Sequence, residues 1–517
     1  FFLLYLACKK ISAKEKTVYC GLLLLFFASF SVNALNFIWH GLHYPNSLPC
    51  RQSFIYIFLM LFVCFRAFQY LRDIPRRHVA AAFWGSVCFV ILAEKLVEQE
   101  HFHFAVYYVA ILFLAAYTGL IYLYKKRRRE LAAFLALALV AVEAAVNTTV
   151  TSVTTTSREA YTRDNKEVQA LMEKLEPAED FYRVEKKTRK TKNDGAWMNF
   201  PSVSLFSSTA NADLTKFFKR MGCEASTNAY SITGSTPLVD SLLSVRYALY
   251  SEYIPNTDLV NYIQESGGTY LYENLYTLPL GFVLPYDLAD NWQYQMENPA
   301  EVQNDLCLLL GTDDVLVPVE TEVSGSGCTF TADMAGEYYV YIQNKKVKNV
   351  KASLPSGEKN FSNVDRGYLL EMGNLSEGSR ITLTPGESGE TLTAAVYRFS
   401  PRAMIQVYDR LSQSPLHLDS WRDTKLTGTV TAAESGTLFL SIPYDEGWTI
   451  TIDGQPAEGE KILEAFLSVP VEAGTHEISL IYMPGGLIPG VVISGASAAV
   501  LVLLWIVKRR RPSQAGV

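Results

Sequence analysis

Phe104-Ala-Val-Tyr-Tyr-Val-Ala-Ile-Leu-Phe-Leu-Ala-Ala-Tyr-Thr-Gly-Leu-Ile-Tyr-Leu-Tyr124, followed at once by Lys125-Lys-Arg-Arg-Arg129, decides the fold. The uncharged run matches the roughly 20 residues that a helix needs to cross a bilayer core of about 30 Å. The cations behind it mark where lipid must end, because charge inside a bilayer is costly. Working outward, similar apolar stretches lie at residues 18–35, 53–70, 79–96, 131–146 and 487–507. Between the last two sits a long block of mixed polarity, residues 150–484. The layout predicts a multi-pass α-helical membrane bundle carrying one large domain.

Charge gives the layout a direction. Outside the block there are 19 Lys and Arg against 7 Asp and Glu, and 17 of those cations fall at 9–16, 66–77, 125–129 and 508–511. If each stretch spans once, all four clusters share a face, and short basic loops stay in the cytoplasm. The block is then exported and the carboxyl terminus is cytoplasmic. Within it the balance reverses to 27 Lys and Arg against 45 Asp and Glu, so the formal charge of −6 conceals an acidic domain. An acidic exterior excludes nucleic acid as a partner, which needs a basic stripe. The chain starts without Met, and residues 1–8 read as the tail of a further span. The expectation is therefore a fragment, with residues 1–149 holding that partial span and five complete ones.

Texture divides the exported block. Residues 150–314 mix helix and strand signals. Val168, Leu171, Met172 and Leu175 recur at helical spacing ahead of Pro177, and 212–221 reads as a helix stopped by Gly222. Phe181-Tyr-Arg-Val-Glu185 alternates as a strand, and Asn193-Asp-Gly195 reads as a turn. Residues 315–400 carry short alternating runs broken by Gly, Ser, Asn and Pro, the pattern of a β-sandwich. A helix at 401–411 opens a second β-sandwich module that ends at 484, with Asp453-Gly454 as a hairpin turn. The fold class is thus a membrane bundle plus an exported α/β domain and β-sandwich modules, and residues 485–517 form the final span and basic tail.

Few residues carry chemistry. Arg51 sits at the mouth of the second span, in an exterior loop that also holds Asn46. A guanidinium there can clamp a phosphate or serve as an interfacial anchor. Glu143 interrupts the fifth stretch, with Asn147 one turn later. A carboxylate at that depth faces a protein interior or a water-filled cavity, whether as a functional group or as a helix-packing bond. Glu98-Gln-Glu-His-Phe-His103 reads as a solvated loop rather than a metal site, and the cysteines show no metal spacing, although Cys307 and Cys328 could pair. No nucleophile elbow or phosphate-cradling glycine loop is present.

Several stretches in fixed order resemble the bacterial YfhO family. They are Pro45-Asn46, Pro49, Arg51 and Ser53-Phe54; Glu143 and Asn147; Phe181 to Glu185; Asn193-Asp194; Ser207-Ser208; Gly234-Ser-Thr-Pro237 with Asp240-Ser-Leu-Leu243; Glu273-Asn274 with Leu278-Pro279; and Tyr444-Asp-Glu-Gly-Trp448 with Asp453-Gly454 and Gly474-Thr-His476. The resemblance implies a GT-C-type membrane glycosyltransferase that takes a sugar from a polyprenyl-phosphate carrier. Its acceptor would be a cell-envelope glycopolymer such as a teichoic acid. It implies that the catalytic acid of such enzymes lies upstream of Phe1. That leaves Arg51, Asn46, Glu143 and Asn147 as substrate-binding candidates and no residue here for the acid. It points to no particular cofactor. The competing reading is a non-enzymatic envelope scaffold or glycan-binding protein.

Overall fold

The computed structural model describes residues 1–43, 50–97, 104–126, 128–151, 157–175, 180–292, 296–387 and 389–510, and the chain forms two compact units, 1–161 and 162–517.

The first unit is helical: α1 Phe2–Ala7, α2 Ala13–Ser29, α3 Asn33–Trp39, α4 Ser53–Gln69, α5 Arg76–Leu96, α6 Phe104–Lys125 and α7 Arg129–Thr151. Helices α5, α6 and α7 are long and apolar enough to cross a membrane, and α4 is an apolar helix of 17 residues. Large apolar side chains cover their outer faces, with Phe58 and Phe89 among the most exposed. In water such a surface would be a liability, but facing lipid it needs no cover.

The predicted first span is not straight. Helices α2 and α3 bend by 101° at Phe30-Ser31-Val32. Ser29 Oγ donates to the Phe26 carbonyl at 2.6 Å, and Gln52 Nε2 reaches the Ser29 carbonyl and hydroxyl at 3.4 and 3.3 Å. Side chains that occupy backbone acceptors compete with the helical ladder, and this one closes where two are buried together.

The basic ends converge. Lys16 Nζ donates to the Leu6 and Cys8 carbonyls at 2.8 and 2.7 Å, completing the end of α1. Arg66 at the end of α4 clamps Glu15 at the start of α2 with bonds of 2.9 and 3.1 Å. Lys125 at the end of α6 donates to the Leu71 and Arg72 carbonyls at 2.7 and 3.1 Å. Cations at helix C-termini complement the carbonyl ends and the dipole. Among the described residues, three of the four sequence clusters thus meet at one end of the bundle.

In the second unit the helices are α8 Arg158–Thr162 (which straddles the boundary), α9 Asn165–Met172, α10 Asp194–Met198, α11 Ala212–Arg220, α12 Pro237–Leu242, α13 Tyr286–Asn291, α14 Pro299–Leu310, α15 Pro401–Leu411 and the membrane-length α16 Leu487–Arg510. The apolar spacing at 168–172 forms α9 as expected, and Gly222 follows α11 with φ of +84°. Asn193-Asp-Gly195 is more than a turn, because it starts α10. The Asp194 carboxylate accepts from the Lys190 and Thr191 amides at 2.7 and 2.8 Å and so fixes the approach to that helix.

Strands Arg183–Lys186, Val245–Tyr250, Thr269–Asn274 and Val260–Ser266 form one sheet in that order, the first pair parallel. A sandwich follows. Its five-stranded sheet contains Gly327–Thr331 and Arg380–Pro385, its four-stranded sheet contains Gly336–Ile342 and Ala394–Phe399, and Phe330, Tyr338, Ile381 and Val396 fill the space between. A second sandwich pairs a five-stranded sheet centred on Gly474–Tyr482 with a four-stranded one. That four-stranded sheet takes its edge strand, Gly281–Pro285, from far upstream, paired with Gly436–Pro443. A chain of rings follows the same route: Phe282–Phe439 at 5.1 Å, Phe439–Phe466 at 5.5 Å and Phe466–Phe217 of α11 at 4.6 Å. Cys307 and Cys328, which the sequence left open to pairing, are free thiols buried in different cores.

Two half-buried cations join these parts. Arg183 donates to the Leu243 carbonyl at 2.6 Å and to the Ser441 hydroxyl and carbonyl at 2.9 and 2.8 Å, and burial pushes its pKa down to about 10. Lys187 Nζ reaches Asp240 Oδ2 at 2.9 Å and Ser235 Oγ at 3.3 Å. Burial alone would lower the Lys187 pKa, but Asp240, with Tyr250 and Glu371, holds it well above the usual value. Beside this pair Tyr339 donates to Glu337 at 3.1 Å, and Glu371 lies opposite Tyr339 across the strands.

Desolvation, then the nearby Glu371 charge, raises the Glu337 pKa to about 7. In the unfolded chain Glu337 titrates near its ordinary value of 4.5, so between there and pH 7 only the folded state keeps this proton. This group's contribution to stability therefore falls as pH rises through that window. The thermal midpoint of the detergent-solubilised chain should decline from pH 5 to pH 8 less steeply in Glu337→Gln than in the parent. Parallel profiles would reject the assignment.

Candidate functional site

The Ala- and Leu-rich sequence of α7 has strong helix formers throughout, and it carries Glu143 deep within an apolar helix. From α6, Tyr117 OH donates to Glu143 Oε2. The two side chains open onto a cavity of about 350 Å³ walled by Phe1 and Leu4, by Val79, Ala82 and Phe83 of α5, and by Leu114 and Thr118 of α6. Its walls are mostly hydrocarbon; Ser86 of α5 adds a hydroxyl to the polar groups of α6 and α7, where Thr118 Oγ1 is committed to the Leu114 carbonyl at 2.7 Å. A phenol and a carboxylate in an apolar chamber can hold a hydroxyl-bearing group by accepting and donating hydrogen bonds, while the walls accommodate an apolar chain.

The other sequence candidates occupy different positions. Asn147 follows Glu143 by one turn of α7 and does not line the cavity. Arg51 lies in the turn before α4, exposed, and is also absent from the cavity wall. Its neighbour Gln52 is buried and tied to the break after α2. Asn46 and the acid- and histidine-containing loop 98–103 fall outside the described residues. Lys95 pairs with Glu94 at 3.5 Å, an exposed contact of little energetic weight. Among the described residues no group of three or more His, Cys, Asp or Glu could hold a metal ion.

Tyr117 escaped sequence reasoning because tyrosines in membrane helices are usually interfacial anchors. The available signal was depth: Tyr107, Tyr108, Tyr122 and Tyr124 lie toward the ends of α6, whereas Tyr117 lies inside it.

The family described as "Bacterial membrane protein YfhO" matches residues 1–317 and 319–494. A curated relative, the uncharacterised protein YfhO of Bacillus subtilis (strain 168), is 28% identical over 93 residues, a stretch covering 18% of this chain and 11% of the relative. The matched stretch is thus about a tenth of that relative's length. Among solved structures, two of arabinofuranosyltransferase AftD from Mycobacteria show 10% and 9% identity over 28% and 50% of this chain and 12% and 28% of theirs, with TM-scores of 0.13 in both cases.

The Tyr117–Glu143 bond should register as coupling in a double-mutant cycle with Tyr117→Phe and Glu143→Gln, read from thermal unfolding in detergent. The expected interaction is about 0.6 to 2 kcal/mol, the range for hydrogen bonds between membrane helices. Strictly additive effects would mean the bond contributes nothing.

Proposed function

This chain belongs to the YfhO family of bacterial membrane proteins, and from that premise we propose that it is a membrane glycosyltransferase. It moves a sugar from a polyprenyl-phosphate carrier to an extracytoplasmic cell-envelope polymer such as a teichoic acid. The observation that carries the reading is the apolar cavity with the Tyr117–Glu143 pair on its wall. A lipid-linked sugar is itself an apolar chain joined to a hydroxyl-rich head, and both halves find a matching surface there.

In the proposed reaction an acceptor hydroxyl attacks the anomeric carbon. The bond from that carbon to the carrier phosphate breaks, the phosphate leaves with the electron pair, and the hydroxyl proton passes to a base. Glu143 orients the sugar through its hydroxyls. Arg51, with Asn46, contacts the carrier phosphate, where a guanidinium offsets the charge that develops on the leaving group. The base is assigned to none of these residues. The cationic ends of the bundle lie in the cytoplasm and the β-rich unit lies outside.

Full-length protein in membranes, given a radiolabelled polyprenyl-phosphate sugar and envelope polymer, should transfer label to the polymer. Glu143→Gln should reduce transfer by about tenfold or more, the cost of one strong hydrogen bond to substrate. Absence of transfer by folded protein would favour a scaffold or glycan-binding role instead. Separately, Arg51→Ala should raise the donor concentration for half-maximal rate about tenfold. Unchanged donor saturation would return Arg51 to interfacial anchoring.

A further inference from the structure

The second unit is acidic as a whole, yet one part of it gathers cations. Lys216, Lys219 and Arg220 project from α11 into a cleft of about 320 Å³, which Lys345 and Arg366 also line, against only Glu297 and Glu464. Phe217 and Phe218 bury the opposite face of α11, so the helix presents its basic face by construction. Arg220 is steadied by the Met296 carbonyl at 3.2 Å. Arg366 extends the basic surface further, because it shares the Glu224 carboxylate with Lys192 and Arg189, three cations on a single acid. Lys219 and Lys345 have no ion-pair partner among the described residues, so their charge remains available to a ligand.

A second cleft, of about 340 Å³, adjoins the first. Glu464 lines both. Asp213 bridges Lys216 of the first at 3.2 Å and Lys461 of the second at 2.8 Å. The chemistry changes across this boundary. The second cleft is lined by Trp292, Thr437, Ser468, Asp290, Glu460 and Lys461. Trp292 is only 2% exposed, and its indole N–H has no hydrogen-bond partner among the described residues. A buried donor left without an acceptor is costly, and an indole can only donate. The turn forming the rim, Leu463-Glu464, has φ values of +49° and +52°, a conformation that non-glycine residues adopt at a cost.

We propose that the two clefts form one groove that holds a strand of phosphodiester-linked, hydroxyl-rich polymer, with phosphate over the lysine and arginine cleft and a polyol or sugar unit accepting from Trp292. This rests on the transferase reading in one respect, that the polymer is its acceptor. Positive charge concentrated on an otherwise acidic domain selects for anionic groups at that place, because the rest of the surface repels them. Nucleic acid shares the phosphates but is disfavoured. Single-strand binding relies on exposed aromatic platforms, and the aromatic residue in the basic cleft, Tyr341, is 6% exposed.

The test is equilibrium binding of fluorescent poly(glycerol phosphate) to full-length protein in detergent, with inorganic polyphosphate, polyglutamate, single-stranded DNA and neutral dextran as competitors. Poly(glycerol phosphate) should bind in a salt-sensitive manner and be displaced poorly by dextran, polyglutamate and DNA. Lys219→Glu with Lys345→Glu, two exposed positions, should weaken it about tenfold or more. Trp292→Phe keeps the ring and removes the donor. It should weaken poly(glycerol phosphate) several-fold and leave polyphosphate binding unchanged, a selectivity that misfolding would not produce. Unaltered affinity in the lysine variant, equal effects of Trp292→Phe on both polymers, or displacement by dextran, polyglutamate or DNA as effective as by the polymer itself would overturn the groove. Transfer activity separates the two ideas. Transfer without poly(glycerol phosphate) binding sinks the groove alone, and binding without transfer sinks the transferase alone.

Discussion

Hydrocarbon offers no hydrogen bonds, and most of what is unusual in this chain follows from that. Backbone groups must be satisfied inside each span, so the membrane unit is helical, and the carbonyls exposed at its ends attract the cations that lipid excludes. Lys16 and Lys125 meet those carbonyls directly, and Arg66 clamps Glu15 at the same end of the bundle. The charge clusters of the sequence are therefore also structural parts. The same constraint isolates Glu143. A carboxylate within an apolar helix needs a donor, and Tyr117 supplies it from the neighbouring helix.

That constraint also explains what could be read in advance. Helices α5 to α7 and α16 were legible as long apolar runs, since length and polarity alone decide whether a segment can cross. The break at Phe30 to Val32 was not, because it depends on Gln52, a residue more than twenty positions later, reaching back to Ser29. Local composition does not encode such a contact. Glu143 was visible as a charge out of place, whereas Tyr117 carries no such mark and its partner appears only in the fold.

In the second unit the textures of the sequence marked the β-rich regions and α15, since alternation and turn residues act over a few positions. They could not give the strand exchange. Gly281–Pro285 completes a sheet whose other strands begin near Glu460 and Gly436, and Gly281 fits there because a β-carbon would press within 2.8 Å of Leu440. The run of Phe282, Phe439, Phe466 and Phe217 then makes a single core of segments that look separate in sequence. Tight packing between distant segments makes the parts interdependent, so loss of one ring would be felt across several of them.

Charges in this unit fall into two physical classes, and the distinction separates structure from recognition. Asp240 is buried and Arg183 and Lys187 are half-buried, with short bonds to their neighbours, and their energies are spent on holding segments together. Removing one partner of such a set would leave the other desolvated and unpaired, which is why these sets are poor places to seek a ligand. Lys219 and Lys345 are different, because they are exposed beside a cleft without a counter-ion of their own among the described residues. The Trp292 N–H is buried like the structural groups and has no acceptor among the described residues, a state that Asp240 Oδ1 shares. A hydroxyl-bearing anion held by the adjoining cationic cleft would offset the cost of that donor.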